Sequence, residues 1–364
     1  VITALAAVGG ATLTALWPER RAAATRARIP HRLLIGGGRG KSTLTRLLHA
    51  ALQAGGLRCL ARVTGDDPLA VLPDGSTHLY RRPGSASIRE LVHLLAEAGE
   101  FLPIDVLAVE NMAVRPELQR VVGREIIHPT MALFVANTRD HLDHHPVDPV
   151  RRALMLLDAV PRTCLCLVPD SDRSYHASAK ETGHAMESVS PISGHDPKAP
   201  VTPHMQALAA LALGAASIIQ PEAAAAHRDA VLPLSCRLEK VPTAIVGDAT
   251  WVDLLSVNDP ESTMWWIERA TEEFGEAPRL LYNHRRERAP RLVDHVAILR
   301  RHETLITGDT PSLPLLSATG GRYVSLREVF TNRDPRLTLM IGNSGGQGRI
   351  LRDWFRDRRE RGEW

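Results

Sequence analysis

Three short segments combine residue types that handle phosphate and divalent metal. The first is Gly36-Gly37-Gly38-Arg39-Gly40-Lys41-Ser42-Thr43, set between a short apolar run and a helical pattern. Glycines let successive backbone N–H groups wrap phosphate oxygens, and a helix N-terminus adds a field that favours anions. Lys41 is placed to neutralise β- and γ-phosphates, and Ser42 to offer its hydroxyl to Mg²⁺. Ile35 stands five residues before Gly40, where a phosphate loop usually has glycine, and Gly37, three before, supplies it instead. The plainer reading is a glycine-rich turn with a surface lysine. The scarcity of lysine argues against that, because Lys41, Lys180, Lys198 and Lys240 are the only ones.

The second segment is Asn137-Thr138-Arg139-Asp140-His141-Leu142-Asp143, directly after the apolar run Ala132–Ala136. Its plainer reading is a strand-end loop with solvated acids. The third is Glu110, closing the run Asp105-Val106-Leu107-Ala108-Val109. An acid at the carboxyl end of a core strand sits where open α/β sheets bind ligands. The alternative for Glu110 is a surface carboxylate capping the next segment.

The elements that must position these groups follow from the apolar pattern. Arg32 to Gly36 reads as a strand ending in glycines and Lys41 to Gly55 as a helix. Val106–Glu110, Met131–Asn137 and Thr163–Pro169 read as further strands, and His204–Ile219 as an Ala/Leu-rich helix. Asp170 to Pro203 is polar, and loops around a weak strand are expected there. A second unit starts near Val241, with strands at Trp251–Ser256, Arg279–Tyr282, Thr304–Gly308 and Thr338–Gly342. A final helix, Gly348–Trp364, is expected to pack on its own sheet. Strands alternating with helices predict an α/β fold with a mostly parallel, doubly wound sheet. The domains are then 1–28, 29–240 and 241–364.

At 364 residues, with 44% apolar and 23% charged residues, the chain has the composition of a two-domain globular protein. A net charge of +3 without a basic, aromatic-interleaved stripe argues against a nucleic-acid partner. Cys59, Cys164, Cys166 and Cys236 lack zinc-site spacing and read as buried, reduced thiols. Val1 to Trp17 carries no charge and is followed by Arg20, Arg21, Arg26, Arg28 and Arg32. This predicts a short single-pass transmembrane helix with the rest of the chain on the cytoplasmic face, joined by a basic linker to about Ala27. A disordered or packed Ala/Gly-rich tail is the alternative.

The compact loop from Gly37 to Thr43 and the Asn137…Asp140-His141-Leu142-Asp143 segment resemble the signatures of the Mur-ligase superfamily. Further segments resemble the ligase subunit of poly-γ-glutamate synthases (PgsB/CapB type). These are Gly36–Leu48, Thr64–Asp67, Val109–Val114, Cys236-Arg237, Val257–Thr263, Asn283-His284-Arg285 with Arg288 and Arg291, and Ile341–Gly346. The resemblance implies a P-loop Mur-ligase-like central domain with a smaller Rossmann-like C-terminal α/β domain. It implies an ATP- and Mg²⁺-dependent, ADP-forming ligase that joins glutamate through γ-carboxyl amide bonds in capsule-type polymer synthesis at the membrane.

By the same resemblance Lys41, Glu110 and His141 serve catalysis, and Ser42, Glu110 and His141 hold metal. Gly37, Gly38, Arg39, Gly40, Lys41, Ser42, Thr43 and Asn137 bind nucleotide. Asn258 and Asp259 position nucleotide or the incoming amine. Arg285, Arg288 and Arg291 bind substrate carboxylates, unless they form a solvated helix start. Glutamate, a γ-glutamyl chain and small membrane synthase or export subunits are the implied partners. One departure is that residues 148–160 contain no lysine, where many Mur-type ligases carry a carbamylated one. The other readings are a Mur-type ligase for another amino acid or acceptor, and a membrane ATPase that forms no bond.

Overall fold

Side-chain alternation along the central strands explains the layering. The computed structural model of the chain describes residues 17–64, 68–79, 86–138, 144–192, 201–239, 243–246, 249–257, 260–331 and 334–360. It divides into one unit ending at Glu239 and another starting at Lys240.

The first unit opens with helix α1 (Trp17–Ala27) and strand β1 (His31–Gly36), followed by helix α2 (Lys41–Ala54) and strands β2 (Cys59–Val63), β3 (Leu69–Val71) and β4 (Thr77–Leu79). Next come α3 (Arg89–Ala98), β5 (Val106–Glu110), α4 (Pro116–Arg120) with a wider π-helical continuation over Val121–Ile127, and β6 (Met131–Phe134). The unit closes with α5 (Pro149–Asp158), β7 (Leu165–Pro169), α6 (Arg173–Thr182), β8 (Met186–Val189), α7 (Pro203–Ile219) and α8 (Ala224–Glu239).

These strands form one sheet in the order β4-β3-β2-β5-β1-β6-β7-β8. All pairings from β2 to β8 are parallel, and β3 and β4 extend the edge antiparallel. Leu33 and Ile35 of β1 join Val106 and Ala108 of β5 in a core covered by α2, α7 and α8. Leu34, Leu107 and Val109 point the other way, into a core shared with α3, α5 and Tyr175 of α6. Burial on both faces is why the central strands read as continuous apolar runs.

The second unit has β9 (Thr243–Val246), β10 (Ala249–Asp253), α9 (Pro260–Phe274), β11 (Arg279–His284), α10 (Ala289–Leu299) and β12 (Thr304–Gly308). It continues through α11 (Leu313–Thr319), β13 (Arg322–Tyr323), α12 (Leu326–Thr331), β14 (Thr338–Gly342) and α13 (Gln347–Glu360). Its sheet runs β13-β12-β11-β14-β10-β9, parallel except for β9 on β10. Leu280, Tyr282, Leu339 and Ile341 face α9 and α10, whereas Leu281 and Met340 face α12 and α13. As expected, α13 packs on its own sheet. Leu351 and Phe355 are buried and Trp354 stacks on Phe330 at 5.0 Å, but Ile350 stays exposed.

One expectation lies outside what the structure describes, and others need correction. Residues 1–16, which carry the expected membrane helix, lie outside the described residues. Among the described residues no helix is long and apolar enough to cross a membrane. The stretch read as a basic linker is helix α1, which buries Ala22 and Thr25. Arg26 donates to the carbonyls of Glu125 (3.0 Å) and Ile126 (2.8 Å), so its charge serves a local contact. The strand expected over Met131–Asn137 ends at Phe134, because Asn137 leaves the ladder for side-chain partners.

Asp170 to Pro203 contains α6 as well as a strand. That helix is hydrophilic and buries only Tyr175 and Ser178, so it shows no apolar stripe. Its start is set by Asp172, which accepts from Ser174 N at 3.2 Å. Cys59, Cys164 and Cys166 are buried free thiols, and Cys236 is half-buried.

A buried ion pair braces the β2 side of the sheet. Arg62 Nη2 donates to Glu90 Oε2 at 2.8 Å, with both side chains almost wholly out of water. Removing the carboxylate leaves a buried guanidinium undercompensated, so Glu90→Ala is expected to cost about 3–5 kcal/mol in urea unfolding. An apolar replacement of both partners should recover much of that loss.

Burial lowers the pKa of His49 and of His184. The neutral imidazole is therefore the favoured form in the folded chain. The unfolded chain takes up protons first, so stability is full above about pH 6.5 and declines as pH falls below it. Urea titrations from about pH 8 to about pH 5 should show this decline, and His49→Gln should flatten it.

Candidate functional site

The short phosphate loop leaves the carboxyl end of β1, the central strand of the first sheet, and turns into α2. Register fixes its neighbours: Ile35 pairs with Glu110 of β5, and Gly36 pairs with Phe134 of β6. The last carbonyls of β1 are also used, since Asn111 N donates to Ile35 O (2.8 Å) and Val135 N to Gly36 O (3.0 Å). The loop is thus clamped on both sides before it reaches Lys41.

Three of its glycines are required by geometry. Gly37 has φ +99°, and a Cβ there would lie 2.7 Å from Val135 O. At Gly38 a Cβ would clash with Thr138 Oγ1. Gly40, at φ 95°, caps α2, and its carbonyl accepts from Leu44 N at 2.8 Å. Arg39 and Thr43 are half-buried on either side of that turn.

Lys41 folds back over the loop, with Nζ donating to Gly37 O (3.0 Å) and Gly38 O (2.7 Å). Ser42 Oγ donates to Glu110 Oε2 at 2.9 Å. The same carboxylate oxygen accepts from Thr64 N at 2.8 Å, at the end of β2. Glu110 is buried, so it is not the solvated cap of the plainer reading. A carboxylate beside a hydroxyl is a hard oxygen pair, the donor type that suits Mg²⁺, which also keeps water and phosphate ligands. Among the described residues no cluster of three or more His, Cys, Asp and Glu forms a preassembled metal site.

These groups line a cavity of ≈ 170 Å³ whose wall includes Gly37, Lys41, Thr64, Glu110, Gln119 and His145. Thr64 and Asn111 lie in the segments Thr64–Asp67 and Val109–Val114 singled out above, whereas Gln119 and His145 carry no motif that would mark them in the sequence. Gln119 reaches the cavity from α4, after β5, and His145 from the segment between β6 and α5.

Asn137 is brought near the loop's strand neighbour but is engaged by the scaffold. Its Nδ2 donates to Pro149 O (2.7 Å) and Ser174 Oγ (2.8 Å), and its Oδ1 accepts from Arg152 Nε (2.6 Å). Its main-chain N donates to Asp172 Oδ2 at 2.7 Å. With its side chain so occupied, Asn137 organises the β6 exit rather than offering a free amide to nucleotide. His141, Asn258 and Asp259 lie outside the described residues.

In the second unit, Arg291 Nη1 donates to Asn343 Oδ1 at 3.0 Å, and Asn343 Nδ2 donates to Asn283 O at 3.0 Å. Arg285 pairs with Glu287 and lies against Gly345 and Gly346. Arg288 is half-buried, and its N donates to Arg285 O at 2.9 Å. Arg285 and Arg291 therefore brace the Gly342–Gly346 turn at the carboxyl end of β14. Burial lowers the His284 pKa, with Asp309 opposing the shift.

A short glycine-rich loop on the central strand, a buried strand-end glutamate and a second α/β unit following in the chain make up a fold that solved structures share. A bifunctional folylpolyglutamate synthase/dihydrofolate synthase from Yersinia pestis, complexed with AMPPNP and Mn ion, superposes with a TM-score of 0.60 at 15% identity, over 92% of this chain and 93% of that one. At the level of sequence the match is confined to one unit: residues 243–358 match the family "Poly-gamma-glutamate synthase CapB C-terminal domain".

Two curated relatives match part of the chain. "Capsule biosynthesis protein CapB" of Bacillus anthracis is 29% identical over 130 residues, 35% of this chain and 28% of the relative. "PGA synthase CapB" of Bacillus subtilis is 30% identical over 117 residues, 32% of this chain and 30% of the relative. The matched stretch thus spans less than a third of either relative's length.

Gly37→Ala places a side chain in a left-handed conformation against Val135 O. It is expected to cost about 1–3 kcal/mol in stability and to displace the loop. Weakened binding of a non-hydrolysable ATP analogue, read by calorimetry beside a urea melt, checks both effects.

Proposed function

We propose that the chain is an ATP-dependent, ADP-forming amide ligase that joins glutamate through γ-carboxyl amide bonds. The observation that carries this reading is the junction of Ser42, Thr64 and Glu110 beside Lys41 on a compact phosphate loop. The CapB-type C-terminal unit supports glutamate as the amino acid and a γ-glutamyl chain as the acceptor.

The chemistry has two stages. A γ-carboxylate attacks the γ-phosphorus of ATP, the bond to the β,γ-bridging oxygen breaks, and ADP leaves with an acyl phosphate formed. The amine of the next glutamate then attacks the acyl carbon, phosphate leaves, and the amine loses a proton as the amide forms. The first stage brings two anions together. Lys41 counters that repulsion by exchanging the Gly37 and Gly38 carbonyls for phosphoryl oxygens. Mg²⁺ held by Ser42 and Glu110, with His141 as a further ligand, would neutralise charge shared by the carboxylate and the phosphates. Backbone N–H groups of Gly38, Arg39, Gly40 and Thr43 cradle the phosphates.

We also propose that residues 1–17 anchor the chain to the cytoplasmic face of a membrane, beside small synthase or export subunits. The support is an uncharged segment followed by arginines.

The test is ADP release by the purified chain with Mg²⁺ and ATP, adding each amino acid with and without a short γ-glutamyl acceptor. Release should depend on glutamate and fall by about 10²–10³-fold in Lys41→Ala and in Glu110→Gln. Release indifferent to every amino acid and acceptor would point to a plain ATPase and sink the ligase reading.

A further inference from the structure

The cavity beside Lys41 and Glu110 also contains polar groups that phosphate chemistry does not use. Gln119, on α4, is buried, and its Nε2 lies 3.2 Å from Val114 O and 3.3 Å from His145 Nε2. His145 Nε2 in turn lies 2.8 Å from the same Val114 carbonyl. A carbonyl oxygen only accepts, so the nitrogens that face it must carry hydrogen. This assigns the His145 proton to Nε2 and fixes the orientation of the Gln119 amide. Reversing that amide would set its oxygen against the Val114 oxygen.

The consequence falls on Gln119 Oε1. Among the described residues no donor reaches it, although the residue is buried. A buried acceptor left unpaired is destabilising, and such groups are uncommon in folded chains. Gln119 lines the same cavity as Lys41 and Glu110, with Met112, Ala113 and Leu156 contributing apolar wall. The cavity therefore offers the Lys41 cation for a carboxylate, apolar surface for a methylene stem, and an acceptor that lacks an N–H.

We propose that Gln119 is a specificity-determining residue that accepts an N–H from the acyl donor, the molecule whose carboxylate is phosphorylated. The proposal rests on the ligase reading. Its ligand class is a carboxylic acid with an amide N–H a few bonds from the reacting carboxylate, as in a γ-linked glutamyl residue. The incoming amine is the other source of an N–H. The donor is favoured because it must lie beside Lys41 and Glu110 before any amine is consumed. Val114 and His145 act as positioning groups that hold the amide in the orientation that presents Oε1.

The test compares γ-glutamyl-glutamate with its ester analogue, in which oxygen replaces the amide N–H, as acyl donors for the full chain. Wild type should favour the amide donor by about tenfold or more in kcat/KM. In Gln119→Met, which keeps the length and removes the acceptor, that preference should fall to about one, with the KM for ATP unchanged as the check on folding. A preference that survives in Gln119→Met overturns the proposal. So does a variant whose donor preference is intact but whose KM for the incoming glutamate rises, which would assign the oxygen to the amine.

If wild type releases no ADP with either donor, the ligase reading fails by itself. Calorimetric binding of the two donors with ADP and Mg²⁺ then decides the role of Gln119. Tighter amide binding that is lost in Gln119→Met supports the assignment, and equal affinities overturn it.

Discussion

The first unit depends on how one buried carboxylate is kept at the end of a strand. Glu110 is out of water, and its Oε2 is shared by the Ser42 hydroxyl and the Thr64 main-chain N–H. Burying a carboxylate without partners would cost far more than one loop can recover. The strand order β2-β5-β1 supplies the partners by making the ends of these three strands neighbours. The glycine-rich loop, the acid and the β2 exit are therefore held in one arrangement before any ligand arrives, the kind of preorganisation that the proposed phosphoryl transfer would draw on.

A second set of bonds holds the other flank. Arg152 is buried and gives its hydrogens to Asn137 Oδ1 (2.6 Å), Asn137 O (2.9 Å), Pro146 O (2.8 Å) and Val147 O (3.0 Å). Through these four oxygens the guanidinium acts as a multi-point clamp. It lies in the stretch 148–160, where many Mur-type ligases have a lysine able to carry a carbamate. A guanidinium cannot take that modification. The fixed charge on this flank serves loop geometry, while the hard oxygen donors lie on the Glu110 side.

The second unit repeats the layout of an open parallel sheet with a glycine turn at the end of an inner strand. Gly342 and Gly346 both have positive φ, and the turn between them is gripped by Asn283, Asn343 and Arg291. A Cβ at Gly348 would clash with Asn343 O, so α13 approaches the turn as closely as a helix can. Trp354, between Trp251 at 5.6 Å and Phe330 at 5.0 Å, fixes the other end of that helix to the sheet. Of the arginines that read as carboxylate binders, Arg291 thus spends a hydrogen bond on Asn343 of this turn, and Arg285 lies against its glycines while pairing with Glu287.

The amino-acid sequence by itself determined the central strands, the phosphate loop and the position of Glu110. Each rests on local chemistry: strands buried on both faces are uniformly apolar, and a loop that wraps phosphate needs glycine next to lysine. It did not determine α1 or α6, because a helix that buries only two side chains leaves no periodic stripe to read. Tertiary structure also decided the fate of the polar residues. Asn137 looked like a nucleotide ligand and became a hub for Arg152, Pro149 and Ser174. Gln119, which no motif marks in the sequence, is a buried wall of the cavity. The physical reason is that a polar side chain's role is set by which partners surround it, and those partners come from distant parts of the chain that only folding brings together.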